Sequence, residues 1–134
     1  MAQEMRSPIE SGCPDAFQYM HPVMRKNYGQ WAYHEDPQPG VLVHVSNNGD
    51  KIWTVRAGTQ RILDVFTLRK LCDIGDEYGE GYIHFTIRSN IEYQVADEAK
   101  VQPLIDKLRE AGFIVGGTRN SVAMISHTQG WLHC

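Results

Sequence analysis

From Ile83 to Arg88 the chain alternates strictly between two chemistries, and few architectures accommodate that pattern. Successive side chains of a strand point to opposite faces, so Ile83, Phe85 and Ile87 share one side and His84, Thr86 and Arg88 the other. The first side predicts burial against a second layer. The second, with an imidazole, a hydroxyl and a guanidinium in succession, predicts a polar or anionic neighbour. Ser89-Asn90 reads as a bend, and Ile91 to Val95 as a further strand.

The flanking sequence supplies the second layer. Val41 to Val45 is a short apolar strand, Asn47-Asn48-Gly49-Asp50 a turn rich in residues that tolerate positive φ, and Lys51 to Arg56 a second strand, which together predict a hairpin. Regular structure is expected to begin at Gly40. Gln60 to Tyr78 carries Leu63, Val65, Phe66, Leu68, Leu71, Cys72 and Ile74 at helical spacing before Gly79, predicting an amphipathic helix with Cys72 buried on its stripe. Asp97 is the candidate N-cap of a second helix carrying Val101, Leu104, Ile105 and Leu108, although Pro103 moves the expected start toward Val101. Phe113 to Val115 reads as a strand, 116–120 as a glycine-rich loop, and Ser121 to Ser126 as a last strand.

Two strands, a helix, two strands, a helix and a strand predict an α+β fold: a ferredoxin-like two-layer sandwich with helices on one face of a largely antiparallel sheet. With the helices over Ile83, Phe85 and Ile87, the other face would expose Thr86 and Arg88 together with Thr54 and Arg56. Guanidinium groups stay charged and bind carboxylates in bidentate fashion, so such a face suits a flat or extended polyanion. A solvated polar face is the plainer alternative.

The 13 basic and 16 acidic residues give a net charge of -3, which offers no overall field for nucleic acid or an anionic membrane, so any anion site is local. No window approaches the roughly 18 apolar residues of a membrane span, and the first residues lack the pattern of a signal peptide. Three cysteines, Cys13, Cys72 and Cys134, form no tight framework, consistent with a cytosolic chain whose thiols are free or metal-bound. Residues 1–39, broken by five prolines between Pro8 and Pro39 but rich in aromatic and methionine side chains, read as an irregular arm packing on its own domain or on a partner subunit. Residues 40–126 form the ferredoxin-like domain.

The last residues, His127-Thr128-Gln129-Gly130-Trp131-Leu132-His133-Cys134, have the composition of a site. No second cysteine or histidine pair lies at finger spacing, which argues against a complete zinc site. A single cysteine completed by residues further on fits an iron-sulfur cluster at least as well. Residues 127–134 therefore read as the truncated start of a cofactor- or cluster-binding region.

The ordered set Trp31-Ala32-Tyr33-His34-Glu35, Pro39 to Val45, Asn48-Gly49-Asp50-Lys51, Thr54-Val55-Arg56, Thr86 to Glu92, Gly116-Gly117-Thr118 and His127 to Cys134 resembles the N-terminal part of the dissimilatory sulfite reductase beta-subunit family, within the siroheme and iron-sulfur sulfite/nitrite reductases. The likeness runs from about Tyr28 to the last residue. It implies an oxidoreductase subunit that helps bind siroheme and a 4Fe-4S cluster for multi-electron interconversion of sulfite and reduced sulfur in the cytoplasm. It further implies an alpha subunit in an alpha2beta2 heterotetramer and a small sulfur-carrier protein with a C-terminal cysteine.

By that resemblance Arg56 and Arg88 are the catalytic candidates. Siroheme, a polycarboxylate, would be met by Arg56, Thr86, Arg88 and Asn90, with Thr118 close to the macrocycle. His127, Thr128 and Gln129 lie in the matching terminal motif, and Cys134 matches the first cluster cysteine. The family places a small residue after Gly-Gly-Thr where this chain has Arg119, which divides between an anion contact and a solvated loop residue. His127 and His133 divide between hydrogen bonding near the cofactor and packing. The competing reading is a free-standing ferredoxin-like module that binds an anion or a partner without catalysis.

Overall fold

The computed structural model of the chain describes residues 15–60 and 62–118. Its elements are a helix α1 (Pro22–Lys26), strands β1 (Trp31–Gln38), β2 (Val41–Ser46) and β3 (Lys51–Gly58), helix α2 (Val65–Tyr78), strands β4 (Tyr82–Phe85) and β5 (Ile91–Val95), helix α3 (Val101–Glu110) and strand β6 (Ile114–Val115). The strands form one sheet in the order β1-β2-β3-β5-β4, and every pairing is antiparallel. β6 pairs with the end of β3, where Ala57 faces Val115 on one side and Ile91 on the other. β2 and β6 therefore share one flank of β3 and meet end to end beside Arg56, whose N–H donates to Gly40 O at 2.8 Å and whose carbonyl accepts from Gly116 N at 3.3 Å.

Both long helices lie on one face. Alternate residues Val55, Ala57, Ile91, Tyr93 and Val95 of the sheet meet Leu71 and Ile74 of α2 and Val101, Leu104, Ile105 and Leu108 of α3 in a single buried cluster. Tyr93 donates its hydroxyl to Leu71 O at 2.9 Å, which satisfies the one polar atom of this ring inside the core. Burial, and then the nearby Cys72, push its phenol well above the ordinary range. Gly75 leaves room for the ring: a Cβ there would lie 3.1 Å from Tyr93 Cε1.

Local chemistry sets the helix boundaries. Asp64 accepts from Thr67 N at 2.6 Å, so α2 starts at Val65 rather than at Gln60. Asp97 caps a 3₁₀ turn at Glu98–Lys100 that leads into α3 at Val101. Pro103 thus falls in the first turn of α3, where its missing N–H costs nothing.

Three further expectations change in the sheet and on the surface of α2. The sheet begins at Trp31, not at Gly40, because β1 pairs along β2 through His34↔His44 and Glu35↔Val43. The alternating stretch is not one strand to Arg88: Thr86 to Ser89 turns the chain, with Ser89 at φ 63° and Ser89 N donating to Thr86 O at 3.0 Å. Phe85, at the end of β4, is 62% exposed and Ile87, within the turn, 97% exposed, so of the three only Ile83 packs on the core. Cys72 is exposed, since the buried side of α2 runs through Leu71, Ile74 and Gly75 and leaves its neighbour in solvent. The strand expected at Ser121 to Ser126 lies outside the described residues.

Part of the N-terminal arm is fastened to the domain itself. His21 Nδ1 accepts from Val23 N, so Nε2 carries the proton and donates to Glu80 at 2.7 Å. Asn27, fully buried, donates to Asp50 at 2.9 Å and accepts from Asn48 at 3.0 Å.

Candidate functional site

On the face away from the long helices, strand register places three side chains in a row. Arg56 of β3 pairs with Glu92 of β5, and Glu92 pairs with His84 of β4. Arg56 Nε donates to Glu92 Oε2 at 2.5 Å, while His84 Nε2 lies 3.3 Å from Glu92 Oε1. The carboxylate that joins them is only 4% exposed.

The rest of the arginine reaches a loop. Arg56 Nη1 and Arg88 Nη2 both donate to Gly117 O, at 3.3 and 3.2 Å. That loop is held from behind. Gly40 N donates to Thr118 Oγ1 at 3.1 Å, and the hydroxyl donates to Asp36 of β1 at 3.3 Å. Gly40 sits at φ 85°, and a Cβ on it would come within 2.6 Å of Gly116 N, so the two chain segments touch through backbone.

Arg88 owes its position to the turn. Thr86 N donates to Asn90 O at 2.8 Å and Asn90 N to Thr86 Oγ1 at 3.1 Å, closing Ile87, Arg88 and Ser89 into a compact loop; Thr59 Oγ1 secures it through Ser89 O at 2.6 Å. Asn90 itself is fully buried, and neither atom of its side-chain amide has a hydrogen-bond partner. An unsatisfied buried amide group costs about 1–3 kcal/mol. The Thr54 hydroxyl on the same sheet face is also buried and unpartnered.

The electrostatics agree with the geometry. His44 of β2 is held below its usual range, first by burial and then by its neighbours His34, Arg56 and His84, with Glu92 opposing them. One buried carboxylate thus stands among several cationic or potentially cationic groups.

Of the residues singled out in the sequence, Arg56 and Arg88 converge on one carbonyl. Thr118 braces that loop, Asn90 lies buried at the base of the turn, and Thr86 shapes the turn through its hydroxyl. Thr54 is buried rather than exposed, and Arg88 is on a turn rather than on a strand. Arg119, His127, Thr128, Gln129, His133 and Cys134 lie outside the described residues. Among the described residues no group of three or more His, Cys, Asp or Glu side chains is placed to hold a metal ion. Glu92 and the Gly117 carbonyl were not anticipated. Glu92 had a signal, since it follows Asn90 by two positions and must share its face. A groove of about 600 Å³ between the start of α2 and β6 includes neither Arg56 nor Arg88; Ile62, Leu63, Phe113 and Ile114 give it an apolar lining, with Asp64 the only charge among the described lining residues.

Residues 44–111, just over half of the chain, match the family model of the nitrite/sulfite reductase ferredoxin-like half domain. The chain belongs to this family. It is 48% identical to the dissimilatory-type sulfite reductase subunit beta of Archaeoglobus fulgidus, over 86% of this chain and 33% of that one. It is 44% identical to the subunit of the same name from Nitratidesulfovibrio vulgaris, over 87% and 32%. The corresponding figure for Megalodesulfovibrio gigas is 39%, over 99% and 54%. The chain thus spans about a third to a half of the length of the curated relatives it matches. The antiparallel sheet with both long helices on one face is the architecture that the family description names.

Proposed function

We propose that this half domain is the N-terminal portion of a dissimilatory-type sulfite reductase beta subunit, and that Arg56, Arg88 and Asn90 form one wall of its siroheme and sulfite site. The observation that carries this reading is the convergence of two guanidinium groups on Gly117 O, with a buried amide without partners at the base of the turn that carries Arg88. A polycarboxylate macrocycle needs fixed cations and directed N–H groups at its rim, and these residues fit that need.

Arg56 and Arg88 would hold carboxylates or the substrate dianion through their planar, five-donor guanidinium forks. Asn90 would donate its amide to the same ligand, and Thr118 would fix the loop against which the ligand rests. When bound, siroheme with its 4Fe-4S cluster supplies the electron transfer; the protein side supplies orientation and charge. Cys134 is proposed as the first cluster cysteine, and Arg119, His127, Thr128 and Gln129 as residues near the cofactor. The assembly proposed with it is an alpha2beta2 heterotetramer in the cytoplasm that exchanges sulfur with a small carrier protein through a C-terminal cysteine. No helix among the described residues is long and apolar enough to cross a membrane.

The test is Arg88→Ala in the complete alpha and beta complex. Loss of one charge-assisted contact, about 1.5–3 kcal/mol, should raise the KM for sulfite or lower siroheme retention by roughly ten- to a hundredfold. Wild-type values for both remove Arg88 from the site.

A further inference from the structure

We propose that Glu92 is a positioning residue of this face: it acts on the bound anion through Arg56, without touching ligand or metal. The inference rests on the reading that Arg56 binds the anion.

The geometry is specific. The two oxygens of Glu92 are divided between two strands, Oε2 taking Arg56 Nε at 2.5 Å and Oε1 lying 3.3 Å from His84 Nε2. Engaging Nε orients the guanidinium plane, so that Nη1 reaches Gly117 O at 3.3 Å and the Nη edge is turned toward the loop and Arg88. Arg56 and Glu92 are register partners on adjacent strands, which fixes the clamp through backbone hydrogen bonds rather than through long side chains alone.

Stability does not explain the pair. A buried carboxylate is costly to desolvate, and an apolar pair of similar volume would hold two strands together as well or better. Orientation does explain it. A guanidinium without this clamp keeps its charge but explores several rotamers, and each productive hydrogen bond must then be made against that freedom. His84 Nε2 stands 3.3 Å from the other oxygen, so the carboxylate has a basic neighbour on each side.

The experiment is a double-mutant cycle in the complete alpha and beta complex, reconstituted with siroheme and read as the half-saturating siroheme concentration from Soret absorbance. Thermal unfolding of each variant confirms folding. Glu92→Ala should raise the half-saturating concentration on the order of tenfold, and Glu92→Gln, which keeps an acceptor for Arg56 Nε, only about two- to threefold. Arg56→Ala should raise it at least as much as Glu92→Ala, and adding Glu92→Ala to Arg56→Ala should change it less than twofold. An equal loss from Glu92→Ala in both backgrounds overturns the proposal. So does a wild-type Glu92→Ala when Arg56→Ala is impaired, and that result leaves the anion-binding reading standing. A wild-type Arg56→Ala overturns the anion-binding role of Arg56 and this inference with it.

Discussion

Gly40→Ala tests how the glycine loop is held against the sheet. At φ 85° an alanine pays a left-handed penalty of about 1–2 kcal/mol. Its Cβ would also stand 2.6 Å from Gly116 N and 2.7 Å from Val115 Cγ1. Relief requires moving backbone, and forced overpacking of this kind costs about 1–3 kcal/mol. The sum is roughly 2–5 kcal/mol, a large share of the stability of an ordinary domain. Gly49 provides the control, with φ 88° and nothing within 4 Å of where an added methyl group would stand, so Gly49→Ala should lose only the backbone part, about 1–2 kcal/mol. Urea unfolding of both variants would be compared with the parent chain. With a slope of about 1–3 kcal/mol per molar, the Gly40→Ala midpoint should fall by about 0.7 M or more and clearly further than that of Gly49→Ala. Equal losses from the two substitutions would refute the argument that backbone contact with Gly116 is what fixes the loop.

Two other outcomes follow from the same geometry. Tyr93→Phe removes the hydroxyl that donates to Leu71 O and should cost about 1 kcal/mol in urea unfolding while leaving the sheet face unchanged. Acid should destabilise the fold in two stages. Although burial alone would raise it, the Glu80 carboxyl is held below its usual 4.5 by His21, Ala96 N and Lys100. Its contribution is therefore complete above 4.5 and lost as pH falls through the lower folded value, and Glu80→Gln should flatten that part of the curve. His44, held below 6.5 chiefly by burial, favours the neutral ring in the folded state. Its contribution is complete above 6.5 and declines as pH falls toward the folded value, a slope that His44→Asn should remove.

The fold was legible where hydrophobic spacing and helix-cap chemistry agreed. The stripe Val101, Leu104, Ile105 and Leu108 placed α3, the cap at Asp97 placed the 3₁₀ turn that leads into it, and the Asn47 to Asp50 turn placed the β2–β3 hairpin. Alternation misled at Ile87, because it continues through a turn that is set by the Thr86 hydroxyl and by Ser89 in the left-handed region, and at Phe85, which ends the edge strand β4. β1 was hidden by its composition: Trp31–Gln38 is mostly exposed and holds Pro37, so it lacks the apolar period of a central strand and is fixed by pairing along β2. At the site, Arg56 and Arg88 could be named from residue type and resemblance, but their meeting at Gly117 O depends on the long-range approach of Gly40 to Gly116, which no local pattern encodes. Glu92 illustrates the same limit. Its parity with Asn90 is visible in the chain, whereas its pairing with Arg56 is a matter of register between strands separated by a helix.

The most direct test of the anion-binding wall is a structure of the complete alpha and beta complex with siroheme bound. The account predicts Nη atoms of Arg56 or Arg88 within about 3.2 Å of a siroheme carboxylate or of the substrate anion, and the Asn90 amide engaged with the same ligand. Guanidinium groups still on Gly117 O, with every ligand oxygen beyond about 6 Å, would contradict it.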